Sequence, residues 1–157
     1  MKITKPKLLI TSLILPQLAG LAGSVFTAPA IDSWYSQLNR PVIAPPNWLF
    51  APVWTLLFVL MGISLYLLKL SRPKKASQAL KYFYIQLGLN FLWSLFFFGL
   101  KMPWLAFVEI IILWYYIFQT IKSSYSVKPL AGYLLVPYLL WVSFASILNF
   151  SFAYINF

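Results

Sequence analysis

The chain has 157 residues, of which 62% are hydrophobic and 20% are aromatic. Its charged residues are 12 lysines and arginines against only two acids, Asp32 and Glu109, and it has no histidine or cysteine. A soluble domain of this length carries far more charged surface. The composition excludes a disulfide framework, a His/Cys metal cluster and paired catalytic carboxylates. It indicates an integral membrane protein with one domain, residues 1–157.

Five apolar segments are long enough to cross a bilayer, and they predict an all-α membrane bundle of five transmembrane helices. Each has about 18 to 23 residues, which at 1.5 Å per residue spans a hydrocarbon core of roughly 30 Å. Helices are required because unpaired backbone groups are costly in lipid, and the alternating pattern of a barrel is missing. The predicted spans are Leu8–Phe26, Trp48–Leu68, Tyr82–Leu100, Trp104–Ile121 and Leu130–Phe152.

The basic residues that flank these spans are unevenly distributed between the two sides of the membrane. Only Arg40 and Lys101 fall on the second side. Basic loops remain in the cytoplasm, so the N-terminus is predicted to be cytoplasmic and the C-terminus outside, in a bacterial plasma membrane. The net charge of +10 is therefore an orientation signal, and nucleic acid is not expected as a partner. The first side holds Lys2, Lys5, Lys7, Lys69, Arg72, Lys74, Lys75, Lys81, Lys122 and Lys128.

The first loop, Thr27 to Asn47, is the longest connection between spans. Pro45 and Pro46 prevent a helix just before the second span and stiffen the approach to it. A long connection that also contains Trp34 and Tyr35 is more typical of an ordered lid than of a flexible linker.

Small residues and prolines mark the first and last spans. Pro16 and Pro137 lie within these spans and are expected to bend their helices. Ala19, Gly20 and Gly23 give the first span a surface for close helix contact. This surface is compatible with packing inside the bundle and equally with the seam of a homodimer.

Polar and aromatic side chains recur at helical spacing on one face of three spans. Faces that converge would form an aromatic box with amide groups, which is typical of a pocket for a flat, mainly apolar ligand. The alternative is that the amides only bond neighbouring helices. The faces hold Trp54, Phe58 and Met61 in the second span, Gln86, Asn90, Trp93 and Phe97 in the third, and Tyr138, Trp141, Ala145 and Asn149 in the fifth.

Glu109 is an isolated carboxyl within the fourth span. Such a group is costly in a membrane and usually faces the bundle interior or a cavity. It could relay protons, as in a small multidrug antiporter, or it could tie helices together. No basic residue shares its span as a partner, which favours the structural role.

Four stretches of the chain resemble the signature of a known family. They read WYSQLNRP at 34–41, PPNWLFAPVWT at 45–55, LNFLWS at 89–94 and PYLLWVSFA at 137–145. Their spacing is similar to that of the TspO/MBR family, the tryptophan-rich sensory and translocator proteins that include the peripheral benzodiazepine receptor. The resemblance covers nearly the whole chain from Trp34 onward.

The resemblance implies a five-helix bundle, often dimeric, that binds porphyrins, haem-related tetrapyrroles, sterols and isoquinoline-type drugs. It assigns Trp54, Asn90 and Trp141 to the pocket, Tyr35 to the lid and Ala145 to a position beside the pocket. A porphyrin or related tetrapyrrole would be the ligand, and no cofactor or metal is expected to be required. The predicted ligand-binding residues are Tyr35, Trp54, Phe58, Gln86, Asn90, Trp93, Tyr138, Trp141 and Ala145.

The sequence departs from the family pattern at two places. Ile43 occupies a position of the first loop that is often tryptophan. The animal members' sterol motif needs a basic residue near the C-terminus, but the chain ends Tyr154-Ile155-Asn156-Phe157, which does not support sterol binding by that route.

The functional prediction is a membrane receptor or sensor for tetrapyrroles that affects their homeostasis or transport. The first alternative is an enzyme that degrades porphyrin in light and oxygen, with Trp54 and Trp141 as the reactive groups. The second is a small exporter or antiporter that uses Glu109.

Overall fold

A computed structural model of the chain describes residues 5–157, with only the backbone described at Pro73. Lys2 of the basic set therefore lies outside the described residues. Five helical stretches within this range are long and apolar enough to span a membrane, and no strand occurs there. The predicted all-α membrane bundle is confirmed. Its helices are α1 (Pro6–Ser33), α2 (Phe50–Lys69), α3 (Pro73–Ser94), α4 (Pro103–Val127), α5 (Pro129–Tyr133) and α6 (Val136–Asn156).

Two helices extend well beyond the apolar segments that predicted them. Helix α1 continues through Pro29 to Ser33, because an internal proline removes one helix bond without stopping the remaining ones. The first loop is consequently shorter than predicted and contains residues 34–46 before the turn at Asn47–Leu49. Helix α3 begins at Pro73 rather than Tyr82, since its first turns carry lysines that hydropathy assigns to water.

The fifth span consists of two helices rather than one. The short α5 ends at Tyr133, and α6 begins at Val136 after a break at Leu134 and Leu135. Pro137 therefore occupies the first turn of α6, where its missing N–H is not needed. Both prolines lie within their spans as predicted: the fifth span is interrupted directly before Pro137, and Pro16 lies inside α1.

The helices pack in a ring in which α1 contacts α2 and α3, α3 contacts α4, and α4 contacts α6. Helices α3 and α4, which are joined by a short connection, are neighbours in this ring. Helices α2 and α6 meet through aromatic rings, with Trp54 against Tyr138 and Phe50 against Trp141. These rings hold α2 and α6 apart toward the first loop.

Glycines allow α1 to approach its neighbours closely. A Cβ atom at Gly62 would lie 2.7 Å from the Cα of Leu13, and one at Gly23 would lie 2.9 Å from Oγ of Ser94. A Cβ at Gly20 would overlap the ring of Phe58. The small-residue surface of α1 thus serves packing inside the bundle, which was the first of its two interpretations.

Candidate ligand-binding cavity

A cavity of about 300 Å³ lies in the half of the bundle toward the first loop. Its walls come from α1, α2, α3 and α6, and the first loop adds Tyr35. Helix α4 contributes no lining residue within the described part of the chain and closes the bundle behind α3 and α6. The lining is mostly apolar, so the cavity suits a hydrophobic guest.

Seven of the nine predicted site residues line this cavity. They are Tyr35, Trp54, Phe58, Asn90, Trp93, Trp141 and Ala145. The faces of α2, α3 and α6 therefore converge, as their helical spacing required.

The structure places the other two predicted residues, Gln86 and Tyr138, outside the cavity. Tyr138 is completely buried one layer behind the wall, where its hydroxyl accepts a hydrogen bond from Nδ2 of Asn90 at 3.1 Å. Gln86 is buried one helical turn from Asn90, toward the tightly packed half of the bundle, and its amide has no hydrogen-bond partner among residues 5–157. Helical spacing selected the correct face of α3 but not the depth at which the cavity ends.

The cavity wall is built from pairs of aromatic rings. Trp54 stacks on Phe58 with centroids 5.4 Å apart, and Trp93 stacks on Phe97 at 5.2 Å. Trp141 meets the edge of Phe50 at 5.8 Å. Each pair fixes the orientation of a large ring, so the wall offers rigid aromatic surface to a planar guest.

The polar groups of the wall also connect helices. Nε1 of Trp93 donates to Oδ1 of Asn149 at 2.9 Å, and Nδ2 of Asn149 donates to the carbonyl of Pro103 at 2.9 Å. Asn90 and Asn149 therefore bridge helices and line the cavity at the same time. Bonding between helices and a place in the cavity wall are thus compatible for these amides. By contrast, Nε1 of Trp141 has no partner in the described part of the chain.

A π-helical turn at Leu95–Gly99 ends α3 and shapes the wall next to the loop. The N–H of Leu100 donates to the carbonyl of Leu95 at 2.7 Å, five residues back. Phe97 and Phe98, which both belong to this turn, line the cavity.

The first loop closes over the outer end of the cavity. Tyr35 is only 6% exposed, and its ring lies 5.0 Å from that of Phe152. The side chain of Asn156 binds both the N–H of Asn39 at 2.8 Å and its carbonyl at 3.0 Å. The predicted ordered lid is confirmed, because these contacts tie the loop to the end of α6.

Burial of Tyr35 raises the pKa of its phenol, and the nearby positive charge of Arg40 partly opposes the increase. The phenol is therefore neutral at ordinary pH. Ile43 is exposed and does not line the cavity, so this departure from the family pattern leaves the wall unchanged.

Glu109 is buried on α4 and does not line the cavity. Neither carboxylate oxygen has a hydrogen-bond partner within residues 5–157. The antiporter hypothesis thus has a buried acid, but this acid lies outside the cavity lining.

Several lining residues were not predicted from the sequence. The wall of α1 includes Gly20, Gly23 and Thr27. Its glycines were predicted as a surface for packing or for a homodimer seam, not as cavity lining. Phe50, Phe98 and Phe152 belong to the lining but lie off the selected faces or at helix ends. The small residues of α1 could have indicated this wall. A stripe without large side chains permits close helix contact, but it can equally leave space for a cavity.

Fold and site together define an integral membrane protein of five spans with an aromatic cavity beneath its first loop. The chain belongs to the TspO/MBR family, whose profile matches residues 12–155.

Individual relatives agree with this assignment. The tryptophan-rich protein TspO of Archaeoglobus fulgidus is 44% identical over 148 residues, which cover 94% of this chain and 96% of that protein. A protein of the same name from Chlorobaculum tepidum is 44% identical over 139 residues, covering 87% and 88%. The translocator protein of Homo sapiens is 35% identical over 138 residues, covering 86% and 82%.

Proposed function

We propose that the protein is a membrane receptor or sensor that binds a porphyrin or related tetrapyrrole in this cavity. The observation that carries the proposal is the convergence of Trp54, Trp93 and Trp141 on one mostly apolar space. The volume of about 300 Å³ lies at the lower end of the range for small-molecule sites. A tetrapyrrole would therefore insert part of its ring and leave its polar edge at the mouth.

One polar group of the wall is available to a guest. The hydrogen bond of Asn90 to Tyr138 uses Nδ2, which leaves Oδ1 able to accept a bond, and Asn90 lines the cavity. A tetrapyrrole carries N–H donors of the kind that Oδ1 accepts. The indole N–H of Trp141 also has no acceptor among the described residues, but this atom is buried within the wall and is not open to the guest.

The proposal includes an orientation in the membrane. The excess of basic residues at the end opposite the first loop supports a cytoplasmic location of that end, in a bacterial plasma membrane. The mouth of the cavity then faces the outside. A cysteine introduced at Ser36 should react with an impermeant maleimide in whole cells, and labelling only after lysis would contradict this orientation.

Titration with protoporphyrin IX in detergent tests the binding site. We expect saturable quenching of tryptophan fluorescence in the wild type and its loss in a Trp54→Leu, Trp141→Leu double variant. The matched control is Trp48→Leu, Trp104→Leu, which also removes two tryptophans but leaves the cavity lining intact, since both side chains are exposed and lie outside it. Unsaturable quenching of equal size in all three proteins would contradict the proposal.

A further inference from the structure

A positive charge stands at the rim of the cavity. The guanidinium carbon of Arg40 lies 5.9 Å from the centre of the Tyr35 ring, and Nη1 donates to Oδ1 of Asn47 at 2.9 Å. Tyr35 and Asn47 both line the cavity. Arg40 itself is exposed, so its charge is directed to the mouth rather than buried in the wall.

This charge is not neutralised by a carboxylate in the described part of the chain. The acceptors of Arg40 are the side-chain oxygen of Asn47 and the carbonyl of Pro45, at 2.9 and 2.8 Å, and both are uncharged. A guanidinium has five N–H donors in a fork that fits a carboxylate, and these two bonds leave others available. Lys101, the other cation on this side, is not among the lining residues or their partners.

The arrangement has a chemical consequence for a guest of the apolar cavity. A carboxylate is costly in the hydrocarbon region, so an amphiphilic guest places it at the mouth. There it meets Arg40, and a charge-assisted pair in this position is roughly twice as strong as a neutral hydrogen bond.

We propose that Arg40 is a specificity-determining residue that binds a carboxylate of the guest. The cavity then selects planar apolar molecules with an anionic edge over neutral ones of the same shape. This inference rests on the proposed function, and what it adds is the residue that recognises the carboxylate of the guest.

The test compares protoporphyrin IX with its dimethyl ester, which keeps the ring and removes both charges. We expect Arg40→Gln to raise the Kd for the acid about fivefold, which is the upper range for an exposed ion pair, while the Kd for the ester changes less than twofold. Arg40→Lys keeps the charge without the fork and should recover part of the affinity for the acid. Lys101→Gln removes the other outer cation and should leave both affinities unchanged.

Binding of the ester distinguishes loss of carboxylate recognition from disruption of the loop. A variant that still binds the ester is folded and has an intact cavity. Equal weakening of acid and ester by Arg40→Gln would mean that Arg40 only holds the loop, and would overturn the inference. Equal affinity of the wild type for acid and ester would also overturn it while leaving the proposed function intact. Failure of both ligands to bind the wild type would instead overturn the proposed function, and the inference with it.

Discussion

The contact between α1 and α2 at Gly62 positions two walls of the cavity, and it can be tested by adding one methyl group. In Gly62→Ala the new Cβ would lie 2.7 Å from the Cα of Leu13 and 2.9 Å from the carbonyl oxygen of Ser12. Both are backbone atoms, so a side-chain rotation cannot relieve the clash and the helices must separate. Overpacking of this kind costs about 1–3 kcal/mol.

The matched control is Gly88→Ala, because a Cβ at Gly88 meets nothing within 4 Å. Both substitutions gain the same helix propensity, up to about 1 kcal/mol, so the difference between the variants isolates the clash. At about 2–4 °C per kcal/mol for a chain of this size, Gly62→Ala should melt about 2–12 °C below Gly88→Ala. Thermal unfolding in detergent, followed by tryptophan fluorescence, measures this difference. Equal melting temperatures would refute the close approach of α1 and α2.

Two further predictions concern the loops at the outer end. Lys101 has a φ of 56°, in the left-handed region that costs a non-glycine residue about 1–2 kcal/mol. Lys101→Gly should raise the melting temperature despite the greater freedom of the unfolded chain, whereas a decrease would contradict this backbone geometry. Burial raises the pKa of Tyr35, so the folded state holds the phenolic proton more tightly than the unfolded chain. The resulting stability is complete below the unfolded pKa of about 10 and is lost as pH rises through the raised pKa. Tyr35→Phe should therefore lose less stability than the wild type between about pH 9 and about pH 11. Melting temperatures measured across this pH range test this, and an equal decrease in both proteins would count against a buried phenol.

The helical membrane fold was predictable because lipid leaves the backbone few alternatives. Apolar length located all five spans, but hydropathy marks only the part of a helix that lies in hydrocarbon. Helix α3 starts at Pro73 and helix α1 ends at Ser33. In these more polar segments the helical hydrogen bonds of the backbone continue beyond the apolar residues, so hydropathy does not mark the helix ends. The break at Leu134 and Leu135 lies just before Pro137, which disfavours helix in the residues that precede it, but hydropathy does not mark this break because both sides of it are apolar.

The candidate site was predictable to the extent that helical spacing determines which residues share a face. Asn90 and Trp93 were selected in this way, and both line the cavity. Spacing gives no information on depth, so Gln86 was assigned to the same site although it lies below the cavity floor. Phe98 was missed because it lies off the face that α-helical spacing selects, in a π-helical turn that the sequence analysis did not predict.

The two hydrogen bonds between Asn39 and Asn156 join the lid to the last turn of α6. The anchor of the lid thus follows it by 117 residues and is synthesised later. Helix α6 also supplies one wall of the cavity, so both this wall and the fastening of the lid are missing until the final helix is inserted. The order of synthesis therefore makes the enclosed cavity the last part of the molecule to form.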